Sequence, residues 1–363
     1  MTAHTPTFAQ SVWLVAEREI GSKLRSKAFL ISTGILFLIA LVSVVWGGFA
    51  AQSQSATPVA VTSQTAPVVA SLGDSVDVTQ VSDADEARGL VADGTVDAAI
   101  VPGGAEPFGY TIVADSSPPA GLMQMLSLTP PVELLNADPT DGFARYIVAL
   151  GFGLVFFMAA LTFGSTIAQS VVEEKATRVV ELLISAIPVR ALLAGKVVGN
   201  TILAMGQIIG LAAIAVIGLT VTGQSALLSG LGAPIAWFAV FFLFGFVLLA
   251  ALFAAAGAMV SRQEDIGSTT TPLTFLVMAP YFLVVFFNDN ELVMTIMSYV
   301  PFSAPVAMPV RIFLGTAQWW EPLLSLAIML ATCAAAIWVG AKIYENSILR
   351  MGARVKLSEA LAG

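Results

Sequence analysis

The side chains able to do chemistry are few in this chain, and they are unevenly placed. Its 363 residues include one histidine, His4, in a polar tail, and one cysteine, Cys333, inside an apolar run. Neither makes a metal site alone, and one cysteine forms no intrachain disulfide. Five charges instead crowd into nine residues: Glu173, Glu174, Lys175, Arg178 and Glu181, within SVVEEKATRVVELLISAIPVR (170–190). As one helix, this stretch puts Val172, Ala176, Val179 and Leu183 in an apolar stripe with Val180 beside it. Glu173, Glu174, Thr177, Arg178 and Glu181 then take the other side, with Glu174 four residues before Arg178 in the favourable order. Pro188 ends the helix by pushing Ile187 away from helical angles. Such a helix can lie on membrane lipid or dock on a protein. A lipid-surface helix carries mostly Lys and Arg on its polar face. Three glutamates against two basic residues suit a mixed-charge protein partner better.

Recognisable catalytic patterns do not appear. The nearest approach to a nucleotide-binding loop is Gly195-Lys196, but Val197 follows where Ser or Thr is needed, and Arg190 holds the first glycine position. His-Glu-x-x-His, Gly-x-Ser-x-Gly and Cys-x-x-Cys do not occur. The chain is therefore expected to be no enzyme and to hold no metal or cofactor. Any work it does must draw on a gradient or a partner. Polar residues also punctuate apolar runs: Thr162, Ser165, Thr166 and Gln169 on one helical face, and Asn200 and Gln207 on another. In a membrane such residues face other helices or a cavity, so they either pack the bundle or line a route. Gly206 and Gly210 form a GxxxG pattern that permits close helix contact.

The elements that must position these residues follow from hydropathy. The chain is 57% hydrophobic and 11% charged, with a mean hydropathy of +0.87; this excludes an ordinary soluble protein. Six segments, approximately 28–50, 144–168, 197–221, 234–260, 272–288 and 322–341, are long enough to cross the hydrocarbon core, which takes about 20 residues. The fifth is short and is expected to begin at Pro272. Unbroken apolar runs predict helices rather than barrel strands. The first span follows a long leading region and has too long an apolar core for a signal peptide, so it is read as a retained anchor.

Lysine and arginine set the orientation. If the six spans alternate, thirteen of the sixteen basic residues fall on one side, leaving Arg88, Arg145 and Arg311 on the other. The basic side is expected to be cytoplasmic, with both termini there, in a multi-pass protein of the cell membrane. Residues 51–142 then form the one sizeable soluble piece, outside the membrane. VAVT (59–62), VDVTQV (76–81), DAAIV (97–101) and YTIVA (110–114) predict strands, and DADEARGLVADG (83–94) a helix starting near Asp83 and stopped by Gly94. The expected fold is an all-α polytopic membrane protein of six spans, with a small extracytoplasmic α/β domain between spans one and two. Near the C-terminal end, PFSAPVAMPVRIFLG (301–315) is apolar yet broken by Pro301, Pro305 and Pro309. It reads as an irregular re-entrant or interfacial segment on the outer side, a candidate gate, with Arg311 either meeting lipid headgroups or holding the segment.

Several of these stretches carry a resemblance. VVEEKATRVVELLISAIPVRALLAGKVVG (171–199) resembles the cytoplasmic loop of type-two ABC exporter permeases, in the NatB-like branch. WLVAEREIGSKLRSKAFLIS (13–32) resembles their N-terminal elbow and first span, LVADGTVDAAIV (90–101) their external domain, AMVSRQEDIGSTTTPLTFL (258–276) their span four-to-five connection, and 301–315 their last external segment. The resemblance implies a permease subunit of an ABC exporter, paired with a second permease subunit as homodimer or heterodimer. A separate cytoplasmic ATPase would bind ATP and Mg, and membrane lipid would surround the spans; no nucleic-acid partner is implied. Glu173, Glu174, Lys175, Arg178, Glu181 and Leu182 match the family's ATPase-coupling motif. Glu17, Arg18 and Glu19 of the elbow either make a second contact or only anchor it to the membrane surface. A membrane-anchored sensor or scaffold whose external domain binds a ligand remains the rival reading, with a secondary transporter as a third. The substrate, whether sodium, drug, peptide or lipid, is left open.

Overall fold

The computed structural model describes residues 6–52, 57–70, 72–104, 108–115, 119, 122–123, 126, 142–223, 225–350 and 355–362. It divides into two compact units, residues 1–45 with 138–363, and residues 46–137. Among the described residues, six helices are long and apolar enough to cross a membrane. The protein is accordingly a multi-pass membrane protein of the expected fold class, helical with a small sheet after its first span.

The smaller unit holds β1 (Thr57–Thr62), α3 (Ala66–Ala70), β2 (Val76–Val81), α4 (Ala84–Ala92), β3 (Ala98–Pro102) and β4 (Tyr110–Val113). Strand order is β2-β1-β3-β4, with β1 parallel to β2 and β3, and β4 antiparallel to β3. Alternation divides the inner strands between two cores: Val59, Val61 and Ile100 pack with Val69, Val76 and Leu122, while Ala60, Ala99 and Val101 pack with Ala87 and Val91. Asp83 caps α4 by accepting from the backbone N–H groups of Asp85 and Glu86 at 2.9 and 2.8 Å. Gly94, at φ 68°, follows the helix in the left-handed region its sequence position predicts.

In the larger unit, α1 (Phe8–Arg25) is started by a reciprocal cap in which Thr7 and Gln10 each bond the other's backbone N–H. After extended Ser26 comes α2 (Lys27–Gln52), the first span. The others are α5 (Gly142–Ala176), α7 (Val189–Val221), α8 (Ser225–Ala258), α9 (Ile266–Phe286) and α12 (Glu321–Ser347). Between them lie the short helices α6 (Val179–Ala186), α10 (Glu291–Tyr299) and α11 (Ala304–Phe313), and α13 (Leu357–Ala362) ends the chain. The fourth span sits at the centre: 67% of its most apolar window is buried, against none of the first span's. A column of phenylalanines on it, Phe238, Phe242 and Phe246, packs with Phe152, Phe156 and Phe163 of α5.

The fifth span departs from expectation, because α9 starts six residues before Pro272 and carries that proline and Pro280 internally. Thr269 and Thr270 hydroxyls donate to Ile266 O, and Thr274 to Thr270 O. These bonds satisfy the hydroxyls within their own helix.

A close helix contact joins α1 to the start of α7. A Cβ on Gly195 would lie 2.4 Å from Val15 Cβ, and one on Gly199 2.9 Å from Ala16 O. Gly195 therefore serves helix contact. The expected GxxxG contact is half realised: Gly210 meets Phe37 of α2, whereas Gly206 faces open space. Gly199→Val should cost about 1–3 kcal/mol by forcing α1 off α7. Gly206→Ala should be neutral or stabilising. Thermal unfolding in detergent separates the two, and equal melting of both variants would refute the contact.

Candidate functional site

The charged stretch is not one helix. α5 runs unbroken to Ala176, after which Thr177 and Arg178 turn the chain and α6 begins at Val179. Arg178 has φ 58°, the one left-handed non-glycine among the described residues, a conformation that costs about 1 kcal/mol or more. The end of α6 does follow the sequence: Ile187 is extended (φ −139°, ψ 149°), and Pro188 leads into α7. Because the chain bends at Arg178, the predicted apolar stripe is not continuous. Val172 and Val180 are fully buried, Leu183 is half-buried, and Ala176 and Val179 are exposed.

Exposure divides the six predicted coupling residues into two groups. Glu173, Arg178, Glu181 and Leu182 are exposed, Leu182 at 73%. Glu174, read from the sequence as part of the polar face, and Lys175 both turn into the bundle. Lys175 is fully buried, its ammonium donating to Ala258 O at 2.7 Å and Ser347 O at 2.8 Å.

Glu174 enters an ion cluster between α1, α5 and α7. Lys196 is fully buried and donates to Glu19 Oε1 at 2.8 Å and to Ser170 Oγ at 2.5 Å. It also approaches Glu174 Oε2 at 2.9 Å, an ion contact whose angle does not make a hydrogen bond. Arg18 pairs with Glu174 and reaches Glu19 Oε1 at 3.4 Å. Burial alone would raise the Glu19 pKa. The charges and hydrogen bonds of Lys196 and Arg18 outweigh it and hold that carboxyl below its ordinary value. So α1 is bound into the bundle through Ser11, Val15, Ala16 and Glu19, while Phe8, Trp13, Leu14 and Leu24 stay exposed. Of the elbow charges, Glu19 faces inward and Glu17 and Arg18 are on the exposed side.

The polar residues of the spans are mostly served within their own helices. Ser165 and Thr166 hydroxyls donate to Leu161 O and Phe163 O at 2.6 and 2.9 Å. Asn200 is buried and donates to Lys196 O at 2.9 Å, leaving its side-chain oxygen without a partner. Thr162 and Gln169 are exposed, and Gln207 is half-buried. Among the described residues, no hydrogen bond joins the α5 set to Asn200 or Gln207.

Residues 301–315 are more regular than their prolines predict. Pro301 lies in the turn after α10, and Pro305 sits at the start of α11, where a missing N–H costs nothing. Pro309 lies inside α11, buried. The segment is thus a turn and a short buried helix following α10, not irregular backbone. Arg311 is 5% exposed and donates to Glu321 Oε2 and Ser298 Oγ at 2.8 Å, and to Thr316 O at 3.2 Å. Glu321 also accepts from Tyr299 Oη at 2.9 Å and from the Gln318 N–H at 2.7 Å. Of its two sequence readings, Arg311 holds the segment.

The family model for ABC-2 family transporter proteins matches residues 27–342. The chain belongs to the ABC-2 transporter family. It is similar to the uncharacterized protein YhaP of Bacillus subtilis (strain 168), 29% identical over 210 residues, 54% of this chain and 50% of that protein, and to the uncharacterized protein MJ1024 of Methanocaldococcus jannaschii, 25% identical over 212 residues, 58% and 51%. The chain spans about half the length of the curated relatives it matches. No solved structure matches it. ABC-2 membership supports a membrane subunit of an ABC transporter and, in general, an ABC ATPase partner. In this ABC-2 chain, sequence reasoning missed Lys196 as the centre of the ion cluster. The available signal was a lysine beside two glycines four apart, a pattern that marks a close helix contact as readily as a failed phosphate loop.

Proposed function

We propose that the chain is the permease subunit of an ATP-driven exporter, moved by a separate cytoplasmic ATPase through α6. The observation that carries this reading is Leu182. It stands 73% exposed on a short helix beside Val179, at 37%, with Arg178 and Glu181 exposed beside it along the chain and Glu173 exposed before the bend. An apolar tip inside a rim of mixed charge has the composition of a protein contact, with the tip as its anchor. The chain lacks a nucleotide loop, so the energy enters from outside it, and the basic end of the bundle is the cytoplasmic one.

A second permease subunit completes the assembly and covers the face of α5 bearing Thr162, Ser165, Thr166 and Gln169. Substrate leaves along that face, and the α10–α11 segment with Pro301, Pro305, Pro309 and Arg311 closes the outer end. Residues 51–142 stand outside the membrane.

The test is Glu181→Arg with Leu182→Asp in the complex with the ATPase. Both side chains are exposed, so membrane insertion and melting temperature should not change. Association with the ATPase should weaken by about tenfold or more, and stimulation of its ATP hydrolysis should be lost. Unchanged stimulation by the variant would refute the docking role of α6.

A further inference from the structure

Lys175 is a buried cation with no acidic partner among the described residues. Its two acceptors are the carbonyls of Ala258, the last residue of α8, and Ser347, the last residue of α12. The last carbonyls of a helix have no partner within it, and each C-terminus carries about half a negative charge. Two such ends supply about one unit of countercharge, which accounts for an unpaired ammonium at this depth. Lys175 itself belongs to the last turn of α5, so one amine ties the end of α5 to two other helix C-termini.

The surroundings close over the same point. Val355 N–H donates to Met259 O at 2.9 Å, and Asn346 Nδ2 donates to Ala360 O at 2.8 Å, folding α13 back onto the ends of α8 and α12. Three residues after Lys175, the left-handed Arg178 turns the chain into α6. A force on α6 therefore reaches the bundle at a place where α5, α8 and α12 are joined by two charge-assisted hydrogen bonds.

We propose that Lys175 is a positioning residue that clamps the ends of α8 and α12 to the base of α6, so that displacing α6 moves the second, fourth and sixth spans together. The clamp stands independently of the ATPase reading, and only its use in transmission rests on that reading.

Two measurements test these separately. In full-length protein carrying Cys333→Ser, spin labels at Leu182→Cys and Leu330→Cys report the distance between α6 and α12. A control pair, Trp13→Cys and Val221→Cys, reports α1 against α7. Lys175→Met is expected to broaden the first distance distribution or add a second population, and to leave the control unchanged. An unchanged first pair would overturn the clamp. Equal broadening of both pairs would overturn it too, by making Lys175 a general determinant of folding. Lys175→Gln is a milder second variant, and failure of both to fold counts against the proposal in the same way. In the unlabelled complex, Lys175→Met should still bind the ATPase while stimulation falls about tenfold; full stimulation would overturn the transmission role. If wild type binds no ATPase, the functional proposal fails and the distance result still judges the clamp.

Discussion

Replacing Lys196 with methionine is expected to cost the bundle about 3–5 kcal/mol and to free α1 from α7. Methionine fills nearly the same space, so the loss is electrostatic. Glu19 loses its 2.8 Å partner, Glu174 loses its 2.9 Å ion contact, and Ser170 loses a donor. Arg18, with its side chain 42% exposed, is left to answer two carboxylates. Adding Glu19→Gln to Lys196→Met should recover part of the loss, because an unpaired buried charge is removed. Melting of the four proteins in detergent gives the coupling, and strict additivity would rule the pair out.

The same cluster sets a pH dependence. The Glu19 carboxyl ionises at a lower pH in the folded chain than in the unfolded one. The unfolded state then binds more protons in the window between those two values, so stability rises with pH there. The contribution is complete above the ordinary carboxylate range and is lost as pH falls through the folded value. Glu19→Gln should flatten the acid limb of the stability profile, and an unaltered limb would contradict this.

Arg311→Met is the second large effect, also about 3–5 kcal/mol, because it strands Glu321 inside the protein. Tyr299 Oη and the Gln318 N–H remain to that carboxylate, but its countercharge is gone. The loss should appear first as loosening of the α10–α11 segment from α12, since Arg311 joins Ser298, Thr316 and Glu321 across three segments. Hydrogen exchange over 291–315 should rise well before that of α8. Changing Glu321 to leucine in the Arg311→Met background should restore much of the stability, as paired apolar replacement of a buried ion pair commonly does. Uniform exchange across the whole bundle would instead mean that the pair holds no particular element.

What the sequence by itself determined is what depends on neighbours along the chain. The six spans follow from runs of apolar residues, the four strands from short β-favouring runs, the start of α4 from Asp83 and the extended Ile187 from Pro188. Hydropathy, pleat and backbone angles act over a few residues, so they can be read locally. The destinations of the charges were decided only by tertiary structure. Glu173 and Glu174 are adjacent, yet one is exposed and the other enters a cluster with Arg18 and Lys196. Lys196 meets Glu19 across 177 positions, and Lys175 reaches carbonyls 83 and 172 positions away. A charge enters a membrane protein's interior only where other elements bring it a partner, and no local pattern around Lys175 could show that its partners would be the C-terminal carbonyls of two distant helices.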